Sequence, residues 1–333
     1  MRELGYVRPA DPANAVALVA DDPDAGFLAG GTNLVDHLKL GVATPGTLVD
    51  VGHLPLDAVE DTDAGLRIGA NVRNSDLATH PRIRAEWPVV TRALLSGASG
   101  QIRNQATTGG NLLQRTRCVY FQDPTTPCNK HEPGSGCAAA EGYGRYNAIL
   151  GASEHCVAVH PSDLAVALAA VDATVLVLGP DGRRTVPLAD LHRLPGDEPG
   201  RDTTLAHGEL ILGVDLPGAP VARTSTYVKV RDRASFAFAL VSVAAGIDLE
   251  PESGTVRDVR IAWGGVAHKP WRATVVEEAL RDRTLTEDVV RAAVDEELAA
   301  AQTTAETAYK LPLVRNATVL ALRRLVPGLE EVR

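Results

Sequence analysis

The sequence predicts an α+β protein of two domains, an alternating α/β unit followed by a smaller unit in which strands precede helices. Two observations predict it. The chain has 333 residues, enough for about two domains at roughly 150 residues each. The order of strand and helix signals also changes at PGAPVA, residues 217–222, the best linker candidate. We therefore divide the chain into 1–222 and 223–333.

The elements follow in order. Asp11-Pro12 reads as a cap and first-turn proline for a helix over 13–20. A short apolar strand over 25–29 meets Gly30-Gly31-Thr32, a helix over 33–40 ends at Gly41, and 47–51 is a second strand. Leu66–Ile68 opens another strand, and 75–85 and 86–97 have helical spacing broken at Pro81 and Pro88. Residues 98–114 read as Gly/Thr/Asn-rich turn material. Order returns at 157–178 with a short strand, a helix capped by Ser162 or Asp163, and a β-branched strand. A hairpin and turn over 181–191, a polar loop over 195–204 and a strand over 209–216 complete the first unit. In the second, strands are predicted at 225–232, 237–249 and 257–266, and helices near 272–282, 286–300 and 313–325.

Composition narrows the function. Thirty-three basic against 42 acidic residues give a net charge of −9, the wrong sign for a nucleic-acid binder. No apolar run approaches the ~20 residues that span a bilayer, so membrane insertion is not expected. The N-terminus lacks a basic segment followed by an apolar one. On its own sequence the chain is expected to be cytoplasmic, unless a folded complex is exported on a partner's signal.

Cys118, Cys128, Cys137 and Cys156 all fall within 39 residues. Disulfides, zinc and an iron–sulfur cluster compete as causes. Disulfides suit an exported chain. Zinc favours tight paired ligands, whereas the gaps here are nine, eight and eighteen residues with no CxxC. Four thiolates are the standard set for an iron–sulfur cluster, and a long Pro/Gly-rich loop needs something to hold it. The loop, 115–157, also carries Arg115, Arg117, Lys130 and Arg145 to offset negative charge. His131 and His155 are alternative ligands, more simply read as surface histidines.

Two glycine motifs remain, FLAGGTNL at 27–34 and TTGGNLL at 107–113. Glycines let backbone N–H groups approach an anion closely, so a phosphate or pyrophosphate is the natural ligand. Neither motif is a Rossmann or Walker loop. No nucleophile–base pair accompanies them, which favours cofactor chemistry.

FLAGGTNL, TTGGNLL, HPSDLAVAL, ELILGVDLP, YVKVRDRASFAFALVSVA and RIAWGGVAHKPWRA occur in that order over nearly the whole chain. Together they resemble the flavin-binding subunit of the xanthine dehydrogenase family of molybdenum hydroxylases. RTRCVYF, PCNKHEPGSGC and SEHC resemble the iron–sulfur loop of periplasmic-type aldehyde oxidoreductase flavin subunits. The resemblance implies a two-subdomain α/β FAD-binding domain of the PCMH type, then a smaller α+β flavoprotein C-terminal domain. It implies that Phe27, Leu28, Ala29, Gly30, Gly31, Thr32, Asn33 and Leu34, with Thr107, Thr108, Gly109, Gly110 and Asn111, hold FAD at its pyrophosphate. Asp163 would hydrogen-bond the cofactor, Ile211 would pack on the flavin, and Lys229 would stand near the isoalloxazine to stabilise its reduced form. Cys118, Cys128, Cys137 and Cys156 would bind a [4Fe-4S] cluster. No residue would be catalytic in its own right, because the flavin carries the redox chemistry. The implied partners are a molybdopterin-binding large subunit, which oxidises an aldehyde, and a [2Fe-2S] small subunit, in a heterotrimer or its dimer. Other readings are a stand-alone flavin oxidoreductase with zinc-bound or structural cysteines, and an assembly subunit with vestigial glycine loops.

Overall fold

Three sheets carry the chain in the computed structural model, which describes residues 3–326, 328 and 329. The first is parallel, with strands β1 (Gly5–Val7), β2 (Ala25–Leu28) and β3 (Thr47–Asp50) in the order β1-β3-β2. Helix Pro12–Ala20 starts where the sequence predicts, with the Asp11 carboxylate accepting from Asn14 N at 2.8 Å. Helix Leu34–Leu40 joins β2 to β3 and ends at Gly41, whose φ of 76° suits a residue without Cβ.

The second sheet has strands β4 (Val59–Thr62), β5 (Gly65–Gly69), β6 (Thr174–Gly179), β7 (Gly182–Pro187) and β8 (Leu210–Pro217). Its order is β4-β5-β8-β6-β7, antiparallel throughout. Helices Pro88–Ser96 and Asp163–Ala170 share its core with Leu66, Ile68, Val175 and Val214. On β8, adjacent residues serve different cores: Leu210 packs with Val49 and Val51 of the first subdomain, Ile211 with the second. Side chains alternate along a strand, so β8 joins the two.

The third sheet has strands β9 (Ser225–Val230), β10 (Val241–Leu249), β11 (Val256–Gly264) and β12 (Trp271–Arg272), in the order β12-β11-β10-β9 and antiparallel. Val241, Val243, Ala245 and Ile247 face a core shared with helices Thr274–Leu280, Glu287–Leu298 and Lys310–Arg323. Tyr227, Ala244 and Ala262 join the other core, with helices 88–96 and 163–170. Both faces are covered, which is why Val241–Ile247 is apolar but for Ser242 and Gly246.

Several expectations are corrected. Residues 98–114 are not turn material throughout: Ser99 and Thr107 cap short helices at Gly100–Gln105 and Thr108–Leu112. No strand forms at 157–161. PGAPVA is a packed corner, with helix Pro220–Arg223 and buried Val221 and Ala222. Among the described residues no helix is long and apolar enough to cross a membrane.

Candidate functional site

The two glycine motifs meet. A Cβ on Gly30 would run into the carbonyl oxygen of Gln105, two residues before the second motif. Gly31 has φ of 72°, and its carbonyl accepts from Val35 N at 3.0 Å. Asn33 turns its Oδ1 to Arg115 N at 2.9 Å, tying the first loop to the start of the cysteine segment. In the second motif Thr107 Oγ1 accepts from Gly110 N at 3.2 Å, and a Cβ on Gly110 would lie 2.8 Å from that oxygen.

Between the motifs lies a cavity of about 240 Å³ lined by Phe27, Ala29 to Leu34, Thr107, Gly109, Gly110 and Ile211. Leu28 and Thr108 stand behind its wall. Thr108 is fully buried, with its N–H and hydroxyl both donated to Val72 O. Through Thr32, Asn33 and Gly110 this cavity continues into a second, about 180 Å³, bordered by Asn111, Asp163 and Lys229. A third, about 470 Å³, shares Arg117, Asp163 and Phe236 to Phe238 with the second and also reaches Cys118. The result is an elongated trough.

Asp163 is not the helix cap. Ser162 Oγ accepts from Ala165 N at 2.9 Å and donates to Asn111 Oδ1 at 2.6 Å, joining the cap to the second glycine motif. Lys229 and Tyr227 lie on the same face of β9, two residues apart, and both reach Asp163: Lys229 Nζ at 2.7 Å and the Tyr227 hydroxyl at 2.7 Å. The pair is buried, the Lys229 side chain being 3% exposed and that of Asp163 10%.

All four cysteines are free thiols and border one small cavity, with Asn129, Lys130 and His155. Cys128 and Cys137 pair across an isolated antiparallel bridge. Among the described residues no three His, Cys, Asp or Glu side chains are gathered closely enough to hold a single metal ion. The cavity that the four thiols border is about 10 Å³. Burial pushes the Cys118 thiol up and the Cys156 thiol up to about 11. The loop is anchored around them: Asn129 Oδ1 accepts from Gly134 N and Gly136 N at 3.0 Å, and its amide donates to His155 O at 2.9 Å. Lys130 is buried and donates to Asp202 at 2.5 Å. His131 packs on Phe121, ring centroids 5.0 Å apart; Phe121 lines the cysteine cavity and His131 does not.

A family model described as the FAD binding domain in molybdopterin dehydrogenase matches residues 2–219, and one described as the CO dehydrogenase flavoprotein C-terminal domain matches 226–325. The chain is a molybdenum hydroxylase FAD-binding subunit. It is 52% identical to the aldehyde oxidoreductase FAD-binding subunit PaoB of Escherichia coli K12, over 97% of this chain and 99% of that protein. It is 27% identical to the glyceraldehyde dehydrogenase medium chain of Sulfolobus acidocaldarius, over 87% and 85%. Quinoline 2-oxidoreductase from Pseudomonas putida 86 has the same fold, with a TM-score of 0.75, 22% identity and 98% of each chain covered. So does carbon monoxide dehydrogenase from Hydrogenophaga pseudoflava, at 0.75, 24% and 97% of each. The chain is thus a flavin subunit within the aldehyde oxidoreductase and dehydrogenase branch of the family.

In this flavin subunit, sequence reasoning passes over the aromatic wall of the trough. Phe236 and Phe238 line it at 56% and 46% exposure. The available signal is scarcity: the chain has four phenylalanines, and two stand in RDRASFAFA. The ring of buried His160, which borders the third cavity, lies 4.2 Å from that of buried His192, and His192 Nε2 meets Leu112 O at 2.8 Å. Burial lowers His192 to about 4 and His160 well below its usual value; burial and then Lys130 lower His268 to about 4. These groups are neutral when folded and bind protons on unfolding between pH 6.5 and 4, so stability falls with pH across that window. Each contributes up to about 1.4 kcal/mol per pH unit. The melting temperature of the flavin subunit is expected to drop by several degrees from pH 7 to pH 5, and thermal melts at equal ionic strength check it. An unchanged melting temperature would contradict the buried neutral state. Asp202 does not offset this, because Arg115 and Lys130 outweigh its burial and hold it ionised throughout the window.

Proposed function

We propose that this chain is the electron-transfer subunit of a molybdenum-dependent aldehyde oxidoreductase, holding FAD in the trough and one [4Fe-4S] cluster among Cys118, Cys128, Cys137 and Cys156. The observation that carries it is the joining of the two sites: Cys118 borders both the cysteine cavity and the cavity that Asp163 shares with the glycine trough. When bound, FAD supplies storage for two electrons and the cluster a one-electron relay.

The chain's own residues bind and orient these groups. Gly30, Gly31, Thr107 and Gly110 bring backbone close to a pyrophosphate, while Phe27 and Ile211 flank its cavity. Asp163, fixed by Lys229 and Tyr227, presents a carboxylate for the cofactor. Burial raises the Cys156 thiol and the Lys130 ammonium opposes that rise, so Lys130 is the group that favours an anionic cluster there. The domains are taken as 1–222 and 223–333. The partners are a molybdopterin-binding large subunit and a [2Fe-2S] small subunit, in keeping with relatives named medium chains.

The test is anaerobic purification of the complex with flavin, iron and sulfide counted in the isolated subunit. One flavin with about four irons and four sulfides is expected. Flavin with zinc, or with no metal, removes the cluster; iron without flavin removes the trough assignment.

A further inference from the structure

Several cations stand around the trough, and their charges are met differently. Arg103 donates to Gly97 O at 2.7 Å, and Arg231 to Ser96 O at 2.7 Å. Lys229 is paired with Asp163, so the two together contribute no net charge. That removes Lys229 as the cation available to a reduced flavin. Arg117 differs. Its Nε is buried without a hydrogen-bond partner, and its guanidinium lies over the Phe238 ring, 4.9 Å from the centroid. Asp36 borders the second cavity with it. Arg117 lines both the second and third cavities of the trough but not the cysteine cavity, although Cys118 follows it directly.

Reduction of a flavin by two electrons with uptake of one proton leaves one negative charge on the ring system. A largely buried guanidinium whose Nε has no hydrogen-bond partner favours such a charge more than the same group in water. We propose that Arg117 is the electrostatic partner of the flavin, offsetting the negative charge of its reduced form and raising its midpoint potential. This rests on the trough being the FAD site and does not depend on which metal the cysteines hold.

Arg117→Met keeps the aliphatic stem across Phe238 and removes the charge; Arg117→Lys keeps the charge. In the purified complex, flavin and iron are counted and the flavin midpoint potential is measured by dye equilibration. Arg117→Met is expected to hold full flavin and to make reduction about tenfold less favourable, a fall of about 30 mV for a two-electron couple. Arg117→Lys should recover most of that shift. An unchanged potential in Arg117→Met at full flavin overturns the proposal. An equal fall in both variants also overturns it, because lost packing would then be the cause. Loss of flavin from Arg117→Met alone overturns it too, by moving the role to binding of the oxidised cofactor. Absence of flavin from the wild type, seen in the same count, would instead overturn the trough assignment and the proposal with it.

Discussion

Replacing Cys128 by serine is expected to remove most of the iron from this subunit while leaving its FAD in place. A hydroxyl does not replace a thiolate as a cluster ligand. Cys128 sits opposite Cys137 on the short bridge that closes the loop, so its loss opens one side of the cavity. The loop itself should persist. Its anchors are the Asn129 amide, the Lys130–Asp202 pair and the bond from Arg115 Nε to Asp202 at 2.5 Å, none of which uses sulfur. The FAD trough is built from the glycine motifs, Asp163 and β9, and Cys128 does not line it. Iron, sulfide and acid-released flavin measured on the same sample give the answer. Unchanged iron would remove Cys128 from the ligand set, and equal loss of flavin and iron would mean the loop and trough fold as one.

Replacing Lys229 by alanine is expected to destabilise the subunit by about 3–5 kcal/mol, because it leaves the Asp163 carboxylate buried without its counter-ion. At 3% and 10% exposure, solvent does not screen this pair as it would a surface one. Tyr227 still donates to Asp163, but one neutral hydrogen bond does not match an ammonium. The asymmetry provides the control. Combining Lys229→Ala with Asp163→Asn removes the isolated charge and should recover much of the loss. Urea denaturation of wild type and the variants reads this directly; a change under about 0.5 kcal/mol in Lys229→Ala would sink the argument, since that is ordinary for a surface site.

What the sequence makes legible is what depends on neighbours along the chain. Gly30-Gly31 and Gly109-Gly110 announce close backbone approach, and the confinement of four cysteines announces a shared ligand. What stays hidden depends on partners far along the chain. Helices Gly100–Gln105 and Thr108–Leu112 look like turn material because Gly, Thr and Asn dominate them. Caps from Ser99 and Thr107, with donation from Gly109 N to Ala70 O at 2.9 Å and Thr108 N to Val72 O at 3.0 Å, hold them. Strands β1 and β4 are short and largely exposed, and exist through pairing with β3 and β5. No local pattern tells Lys229, which pairs with an acid 66 residues away, from Arg117, which lies over the Phe238 ring.

The third sheet carries a consequence for the whole chain. Its Tyr227, Ala244 and Ala262 belong to the same core as Leu66 and Val214 of the second sheet, and β8 binds that core to the first subdomain. Two family-sized segments are therefore one thermodynamic object. Cutting at PGAPVA would leave an apolar sheet face in water on one fragment and an uncovered helix 163–170 on the other. The chain is modular as text and indivisible as matter, so Asp163 and Lys229, one from each segment, can count on meeting.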